Sequence, residues 1–398
     1  MKHNTHIVYP QNDKQLEEEM REIGADEAGI RLMAPKGEAM MIKVMNVSLK
    51  AANLIKQEML SVGGEAVLHK EVSMLKKELS DVLLIGTRKQ FLRIIQKFKV
   101  QPFGLKQIGK EIKEVITAKN KQYEERTLNC KGIPLFIGNQ TLVMGILNVT
   151  PDSFSDGGQF NGIEKAVTQA KKMIKDGADI IDIGGESTRP GHKAVTTEEE
   201  LERVLPVIRR LAQEISVPIS IDTYKAEVAK QAIEAGAHII NDVWGFKKDP
   251  RIAEVAAELD VPVILMHNRT EAIYQSLMED IISDLRESID LAINSGVKAS
   301  NIIIDPGIGF GKTYEHNLMV MNRLDEIAAL GYPVLLGTSR KSMIGITLDL
   351  PVTERVEGTA ATVAMGVLKG CKIMRVHDVK EIKRVCKMMD AMVYINQG

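Results

Sequence analysis

From Leu142 onward the chain alternates amphipathic helical stretches with short apolar runs. Each helical stretch ends at or near a glycine, and a β-rich apolar run follows within a few residues. Glycine suits the left-handed position just past a helix, because it has no Cβ to clash there. This pattern predicts eight strands, at about 142–148, 179–184, 218–222, 238–242, 262–267, 302–305, 333–337 and 372–376.

The predicted strands are nearly continuous apolar runs, which is typical of parallel strands that helices cover on both faces. The segments between them have helical periodicity, and one face of 163–174 carries four apolar residues, Ile163, Val167, Ala170 and Ile174. Eight successive strand–helix units predict an α/β fold, a (β/α)8 TIM barrel over 127–398. Periodicity alone leaves a doubly wound open sheet as the alternative.

The first 122 residues have a different pattern. Apolar runs at 30–33, 40–47 and 82–86 alternate with helical stretches near 13–23, 49–61 and 88–97. This alternation predicts a small α/β N-terminal domain over 1–122, and the sequence gives no indication of its role. After it, 127–141 is predicted to be a hairpin with Gly138-Asn139 at its turn, closing the barrel floor.

The 398-residue chain has a globular composition, with 44% hydrophobic and 26% charged residues. Its formal net charge of -1 provides no field that would attract nucleic acid or an anionic membrane. No apolar run reaches the ~18 residues of a membrane span, and the N-terminus lacks the apolar core of a secretory signal. Cys130, Cys371 and Cys386 are scattered, as is typical of a reducing compartment, so we expect a cytoplasmic location.

Polar side chains end or follow every predicted strand. The carboxyl ends of the strands carry the active site in a (β/α)8 barrel, so these residues are candidates for one pocket. Any one of them could instead cap a helix, but polar groups at all eight ends favour a site. In chain order they are Asn148, Glu186–Pro190, Asp222, Asn241-Asp242, Met266-His267-Asn268, Asp305, Ser339–Ser342, Arg375 and His377.

The residue types indicate the kind of ligand. Asp222, Asn241 and Asp305 suit a planar heterocycle with several ring N–H groups, because a carboxylate accepts two parallel hydrogen bonds from an amino-imine edge. Cationic and hydroxyl groups at other strand ends suit a multiply charged anion such as a diphosphate: Ser187, Thr188, Arg189, Arg375 and His377. The sequence therefore predicts a flat ring deep in the barrel with a phosphate tail near the rim.

Other familiar motifs do not account for the chain. GIGFGKT (307–313) resembles a phosphate loop, but Pro306 stands where that motif requires glycine. No G-x-S-x-G surrounds Ser339, so a hydrolase elbow is not expected. The absence of H-E-x-x-H and of paired C-x-x-C argues against a zinc site.

Eight segments carry a more specific signal. In chain order they are MGILNVTPDSFSDGG (144–158), DIIDIGGESTRPG (179–191), ISIDT (219–223), IINDV (239–243), IIIDPGIGFGKT (302–313), GTSRKSMIG (337–345), RVEGTAA (355–361) and RVHDV (375–379). Together, and in this order, they resemble the dihydropteroate synthases, a family of pterin-binding TIM-barrel enzymes. The resemblance covers about 127–398 and does not include the N-terminal domain.

The resemblance implies a transferase of folate biosynthesis. Such an enzyme joins 6-hydroxymethyl-7,8-dihydropterin diphosphate to 4-aminobenzoate and releases diphosphate, with Mg2+ as cofactor. A dissociative substitution is favoured, because the pterin ring can delocalise positive charge at its exocyclic methylene before the amine bonds. Sulfonamides, which mimic aminobenzoate, are expected to compete for its pocket.

The resemblance also implies the site residues. Catalytic roles are expected for Asp222, Lys341, Arg375 and His377. The pterin is expected to contact Asp222, Asn241, Met266, Asp305, Gly309, Phe310 and Lys341. The diphosphate is expected to contact Asn148, Thr188, Arg189, Arg375 and His377, with Asn148 also helping to hold the metal. Aminobenzoate is expected to contact Phe154, Thr188, Pro190, Lys341 and Ser342.

Small-molecule substrates are the expected partners, with a homodimer formed through barrel helices and without nucleic acid or membrane. Two alternatives remain. A pterin-binding methyltransferase on the same barrel would use a methylated folate and a corrinoid partner, but it would have no need of the SFSDGG and SRK segments. A catalytically silent paralogue would only bind a pterin or serve as a scaffold.

Overall fold

The computed structural model describes residues 3–10, 12–72, 78–121, 124–149, 158–186 and 195–395, with only the backbone for 158–161. The chain divides into two compact units, Met1–Ala118 and Lys119–Gly398. No helix in the described ranges combines the length and the apolarity needed to cross a membrane.

The first unit is a three-stranded antiparallel sheet with helices, in the strand order β1-β3-β2. Its elements are α1 (Asp13–Glu22), α2 (Glu27–Gly37), β1 (Ala39–Ser48), α3 (Leu49–Ser61), β2 (Glu65–Leu68), β3 (Leu79–Thr87), α4 (Arg88–Phe98) and α5 (Leu105–Lys121), the last of which continues past Ala118. One face of the sheet and the helices form a core of its own, which includes Ala52, Ile55, Leu84, Phe91 and Ile94.

One expectation for the first unit was wrong. The apolar run 30–33 lies within α2 and is not an extended segment between helices. The Asp26 carboxylate caps this helix by accepting the Gly29 N–H at 2.8 Å, and Ile30 and Ala34, four residues apart, are buried on one face. Strand β2 was not anticipated from the apolar pattern.

The second unit contains a two-stranded hairpin followed by eight strand–helix repeats. Its elements are β4 (Arg126–Cys130), β5 (Ile133–Ile137), β6 (Leu142–Asn148), α6 (Gly158–Lys175), β7 (Ile180–Gly184), α7 (Thr197–Glu214), β8 (Ile219–Asp222), α8 (Ala226–Glu234), β9 (Ile239–Asp242), α9 (Arg251–Glu258), β10 (Val263–Met266), α10 (Leu277–Asn294), β11 (Ile302–Asp305), α11 (Tyr314–Asn322), α12 (Leu324–Ala328), β12 (Leu335–Leu336), α13 (Ser342–Leu348), α14 (Val356–Leu368), β13 (Ile373–Val376) and α15 (Val379–Val393).

The parallel strands form a barrel in the order β11-β10-β9-β8-β7-β6-β13-β12. The ring closes between its two ends, because Ile304 bridges Val334 in parallel and its N–H donates to Pro333 O at 3.0 Å. A doubly wound open sheet has no such closing contact. The predicted (β/α)8 barrel is therefore confirmed, with each strand within two residues of its predicted bounds.

The hairpin covers the amino-terminal end of the barrel, but its turn was placed wrongly. The chain reverses at Lys131-Gly132, where both φ angles are positive (50° and 97°), as a two-residue hairpin turn requires. Gly138-Asn139 instead lies between β5 and β6. Apolar hairpin residues pack on inward-facing strand residues to form the barrel floor: Leu128, Cys130, Leu135 and Ile137 against Leu142, Met144, Ile180, Ile239, Ile264, Ile303, Leu335 and Ile373.

Candidate active site

The polar site lies one layer above this apolar floor. Successive residues of a strand point to opposite faces, so the residue two positions after a floor residue also faces the barrel interior. Five strands place a residue in this layer, each two positions beyond a floor isoleucine: Asp182, Asn241, Met266, Asp305 and Arg375. A short parallel barrel thus converges these side chains although they are far apart in sequence.

Arg375 joins this layer into one cluster. Its Nε donates to Asp182 Oδ2 at 2.6 Å and its Nη2 to Asp222 Oδ2 at 2.7 Å. Asn241 Nδ2 lies 3.3 Å from Asp182 Oδ2, which connects a fourth strand, β9, to β13, β7 and β8. The cluster therefore holds two buried carboxylates around one guanidinium.

Burial and ion pairing act against each other in this cluster. Burial raises the pKa of Asp222 to about 7, against the opposite effect of Arg375. For Arg375, burial alone would lower the pKa, but Asp182 and Asp222 hold it above its usual value. Arg375 therefore stays charged, whereas Asp222 can change its protonation near neutral pH. The Oδ1 atom of Asp222 is buried without a hydrogen-bond partner among the described residues.

Asp305 and Lys341 form the other side of the site. The Asp305 Oδ1 accepts the Gly307 N–H at 2.7 Å, and burial raises the pKa of this carboxyl. Burial lowers the pKa of Lys341 to about 8, while Asp305 acts to raise it. A Cβ built on Gly337 would lie 3.9 Å from both Arg375 Cδ and Lys341 Nζ, so the two cations approach the same point.

Apolar residues border the cluster. Met266, at the end of β10, is buried, and Phe310 is half-buried with Lys341 Nζ 4.7 Å from its ring centroid. Gly309 has a positive φ of 85°, and a Cβ there would lie 3.1 Å from Lys341 Cδ. A side chain at position 309 would therefore displace Lys341.

The other predicted residues lie nearer the rim or outside the description. Asn148 is exposed at the end of β6, and a Cβ on Gly184 would lie 3.7 Å from its Oδ1 and 3.8 Å from Asp222 Oδ2. His377 Nδ1 lies 3.0 Å from Ser339 Oγ. Ser342 is exposed as the first residue of α13. Four predicted contacts lie outside the described residues: Phe154, Thr188, Arg189 and Pro190.

Magnesium is the cofactor that the resemblance implied. Within the described ranges, no three His, Cys, Asp or Glu side chains come together as metal ligands. Mg2+ commonly binds through one or two protein oxygens, several waters and the substrate's phosphates, so it does not need such a cluster. Asn148, an exposed residue at the end of β6 whose side chain carries an amide oxygen, is of the type that this mode uses.

Sequence reasoning missed Asp182, which contacts both Arg375 and Asn241. Only residues at the ends of the predicted strands were candidates, and Asp182 lies two residues before the end of β7. The available signal was a carboxylate inside the apolar run IIDIG, since an unpaired charge is rarely tolerated in a strand buried on both faces.

A second missed residue is Lys225, which follows β8. Its Nζ donates to Glu186 Oε2 at 2.7 Å, to Glu200 Oε2 at 2.5 Å and to Val195 O at 2.8 Å. Lys225 therefore joins Glu186, just after β7, to Val195 and Glu200 at the start of α7.

The fold and site define an enzyme of the pterin-binding class. The family model described as "Pterin binding enzyme" matches residues 144–377, more than half of the chain. A curated relative, the dihydropteroate synthase of Bacillus subtilis, is 59% identical over 275 residues, which cover 69% of this chain and 96% of that protein. The chain belongs to the dihydropteroate synthase family, and it is a transferase.

A solved structure supports the same family assignment. The crystal structure of Clostridium difficile dihydropteroate synthase in the presence of pteroic acid is 52% identical, with a TM-score of 0.63, and covers 64% of this chain and 98% of that one. Matches of this extent are confined to about two thirds of the chain and leave the first unit largely unmatched.

One curated relative matches most of the first unit as well as the barrel. A Halobacterium salinarum protein named "Probable bifunctional folylpolyglutamate synthase/dihydropteroate synthase" is 42% identical over 373 residues, 91% of this chain and 44% of that protein. Residues 119–398 make up only about 70% of the chain, so this match includes most of the first unit. The combination of the two units is therefore not peculiar to this chain.

Proposed function

We propose that the barrel unit condenses 6-hydroxymethyl-7,8-dihydropterin diphosphate with 4-aminobenzoate, giving 7,8-dihydropteroate and diphosphate, in the cytoplasm. The observation that carries this proposal is the cluster of Asp182, Asp222, Asn241, Asp305 and Arg375 directly above an apolar floor. A flat ring with N–H groups on several edges matches a pocket whose floor is apolar and whose wall consists mainly of acceptors.

The pterin would be read at its nitrogen edges. Asp305 has one carboxylate oxygen engaged by the Gly307 N–H, which leaves the other to accept from the amino and ring N–H groups. Asn241 offers both a donor and an acceptor at another edge, and Lys341 offers donors to a ring acceptor. Met266 and Phe310 would cover the ring faces.

Bond breaking would precede bond making. Departure of the diphosphate leaves positive charge on the pterin, and the carboxylate of Asp222, with one oxygen unpartnered, would offset it. Arg375 would stabilise the leaving diphosphate with the N–H groups that its two carboxylates do not use, and His377 would contribute at the rim. The amine of aminobenzoate attacks the exocyclic methylene as a neutral nucleophile, so a strong base is not required beforehand, and the proton that its nitrogen then loses passes to the released diphosphate.

Magnesium, when bound with the diphosphate, would supply charge neutralisation for the leaving group. Asn148 is the described residue that we propose to contact it. For aminobenzoate, Ser342 and Lys341 are the described candidates, and Phe154, Thr188 and Pro190 stay predictions, as do Thr188 and Arg189 for the diphosphate.

A coupled assay tests this function. Diphosphate release should require the pterin diphosphate and magnesium, should accelerate with aminobenzoate, and should be inhibited by sulfonamides in competition with aminobenzoate. Pterin binding without any release would instead indicate a silent paralogue. Methyl transfer to a corrinoid partner, with no diphosphate chemistry, would indicate the methyltransferase.

We also propose a homodimer that forms through barrel helices. Helices α11, α13 and α14 contact one another and expose large apolar side chains: Leu318, Met319, Ile346, Leu348 and Leu368. An apolar area spread over three neighbouring helices is typical of an interface, and a second copy of the chain is the occupant that we favour.

Deleting residues 1–122 is expected to leave kcat and both KM values within about threefold of the full chain. The reason is that the barrel has its own core, and the Bacillus subtilis relative consists almost entirely of the matching part. Steady-state diphosphate release measures this, with circular dichroism to check folding. A folded but inactive truncation would show that the first unit takes part in catalysis.

A further inference from the structure

Beyond the residues that face the pocket, one buried hydrogen bond joins the loops that leave two neighbouring strands. Lys312 Nζ donates to His267 Nδ1 at 2.7 Å, linking the loop after β11 to the end of β10. The same ammonium donates to Gly307 O at 3.0 Å and to Phe310 O at 3.2 Å. A lysine that points back into its own loop, toward neutral acceptors only, serves to fix the conformation of that loop.

The protonation of His267 follows from its partners. The Asp284 carboxylate beside Nε2 can only accept, so the ring proton lies on Nε2 and His267 Nδ1 accepts from Lys312, whose pKa burial lowers to about 7. Nε2 lies 3.1 Å from Asp284 Oδ2, which can accept that proton, and Arg269 Nε donates to the same oxygen at 2.7 Å. Burial also lowers the pKa of His267 to about 4, which keeps the ring neutral.

The loop that Lys312 holds has no space for a side chain at two of its glycines. Gly307 has a φ of 66°, and a Cβ there would lie 1.9 Å from His267 O. Gly311 has a φ of 54°, and a Cβ there would lie 2.5 Å from Arg269 O. The turn 307–311 therefore packs directly on the backbone of 267–269, at the position that the Lys312–His267 bond joins.

This turn contacts two residues proposed to bind the pterin. The Gly307 N–H orients the Asp305 carboxylate, and Ile308 O accepts from Lys341 Nζ. A shift of the turn would thus move an acceptor and a donor of the pocket together, without any change in the groups that face the ligand.

We propose that Lys312 and His267 are positioning residues for pterin recognition, whose hydrogen bond holds the 307–311 turn so that Asp305 and Lys341 meet the ring. The inference rests on the proposed function, because it names what fixes the pterin site. Neither residue is proposed to touch the substrate. Since aminobenzoate is proposed to contact Lys341 but not Asp305, the effect of the two positioning residues should be larger on pterin affinity than on aminobenzoate.

Lys312→Met, which keeps the chain length and removes the ammonium, is expected to weaken binding of the pterin diphosphate about tenfold or more, with a clearly smaller rise in KM for aminobenzoate, which is proposed to contact Lys341 but not Asp305. Calorimetry measures the first and steady-state kinetics the second. Lys298→Met, which removes an exposed lysine paired with Asp260, is the matched control and should change neither. Wild-type protein that binds no pterin would overturn the proposed function itself.

If wild type binds the pterin and a folded Lys312→Met variant binds it equally well, the positioning role is wrong. Equal losses for both substrates would also overturn it, since they would indicate a general loosening of the barrel. Should the variant not fold, hydrogen exchange on wild type decides: pterin should protect 263–270 and 302–313 together. Protection confined to 302–313 would contradict the proposed coupling.

Discussion

An Arg375→Ala variant is expected to lower kcat by roughly 10²–10³-fold or more, the usual cost of removing one preorganised electrostatic contact to a transition state. Two effects add in this variant. The leaving diphosphate loses a cation, and the carboxylates of Asp182 and Asp222, which that cation pairs at 2.6 and 2.7 Å, then repel the anion. Diphosphate release at saturating substrates and magnesium measures the loss.

The same substitution is expected to destabilise the barrel, because it leaves buried carboxylates without their cation, a change that costs about 3–5 kcal/mol in other proteins. Burial already raises the pKa of Asp222 to about 7, and loss of Arg375 raises this pKa further. A carboxyl with a raised folded-state pKa is stabilising when protonated and loses that contribution as pH rises through its pKa. The deficit should therefore be largest above pH 7 and shrink on acidification.

Controls separate these two effects. Arg323→Ala removes an exposed arginine that pairs with Glu326 on α12, and it should leave kcat and stability nearly unchanged. Arg375→Lys keeps the charge but is shorter and lacks the planar guanidinium that donates to Asp182 and Asp222 from two separate nitrogens, so its kcat should fall between those of wild type and Arg375→Ala. A folded Arg375→Ala variant with kcat within tenfold of wild type would exclude a major role for this residue.

The barrel could be predicted because each of its strands can be recognised from a short stretch of sequence. Residues such as Ile180–Gly184 and Ile302–Asp305 are buried on both faces, so each reads as an uninterrupted apolar run between helical segments. The hairpin turn was harder. Lys131-Gly132 and Gly138-Asn139 both offer a glycine beside a residue that tolerates a turn, and only the pairing of β4 with β5 decides between them.

Several members of the site could be predicted, but its internal contacts could not. Ends of parallel strands must converge in a closed barrel, which was enough to group Asp222, Asn241 and Asp305. Arg375 contacts Asp182, which lies two strands away in the ring, on the far side of β6. This contact depends on closure of the barrel and on the length of the arginine side chain. Neither can be recognised from the spacing of residues along the sequence. The sequence could have marked Asp182 as a carboxylate within a buried strand, but its partner Arg375 and the role of Lys312 emerge only from the three-dimensional arrangement.

Replacing Asp305 by alanine is expected to weaken binding of the pterin diphosphate by about 2–4 kcal/mol, or roughly 30- to 1,000-fold, because a charge-assisted pair with the ring N–H groups is lost. Isothermal calorimetry measures this directly. Asp325→Asn, at an exposed position of α12, is the control and should leave the affinity unchanged. Unaltered affinity of a folded Asp305→Ala variant would contradict the proposed ring orientation.

Asp305→Asn distinguishes recognition of the ring from support of the turn. An asparagine oxygen can still accept the Gly307 N–H, as Asp305 Oδ1 does at 2.7 Å, so the 307–311 turn should persist. The amide NH2 would then face the pterin, opposing a donor to the donors of the ring. If Asp305 reads the ring, asparagine should weaken binding at least as much as alanine. If it mainly supports the turn, asparagine should bind the pterin nearly as well as wild type.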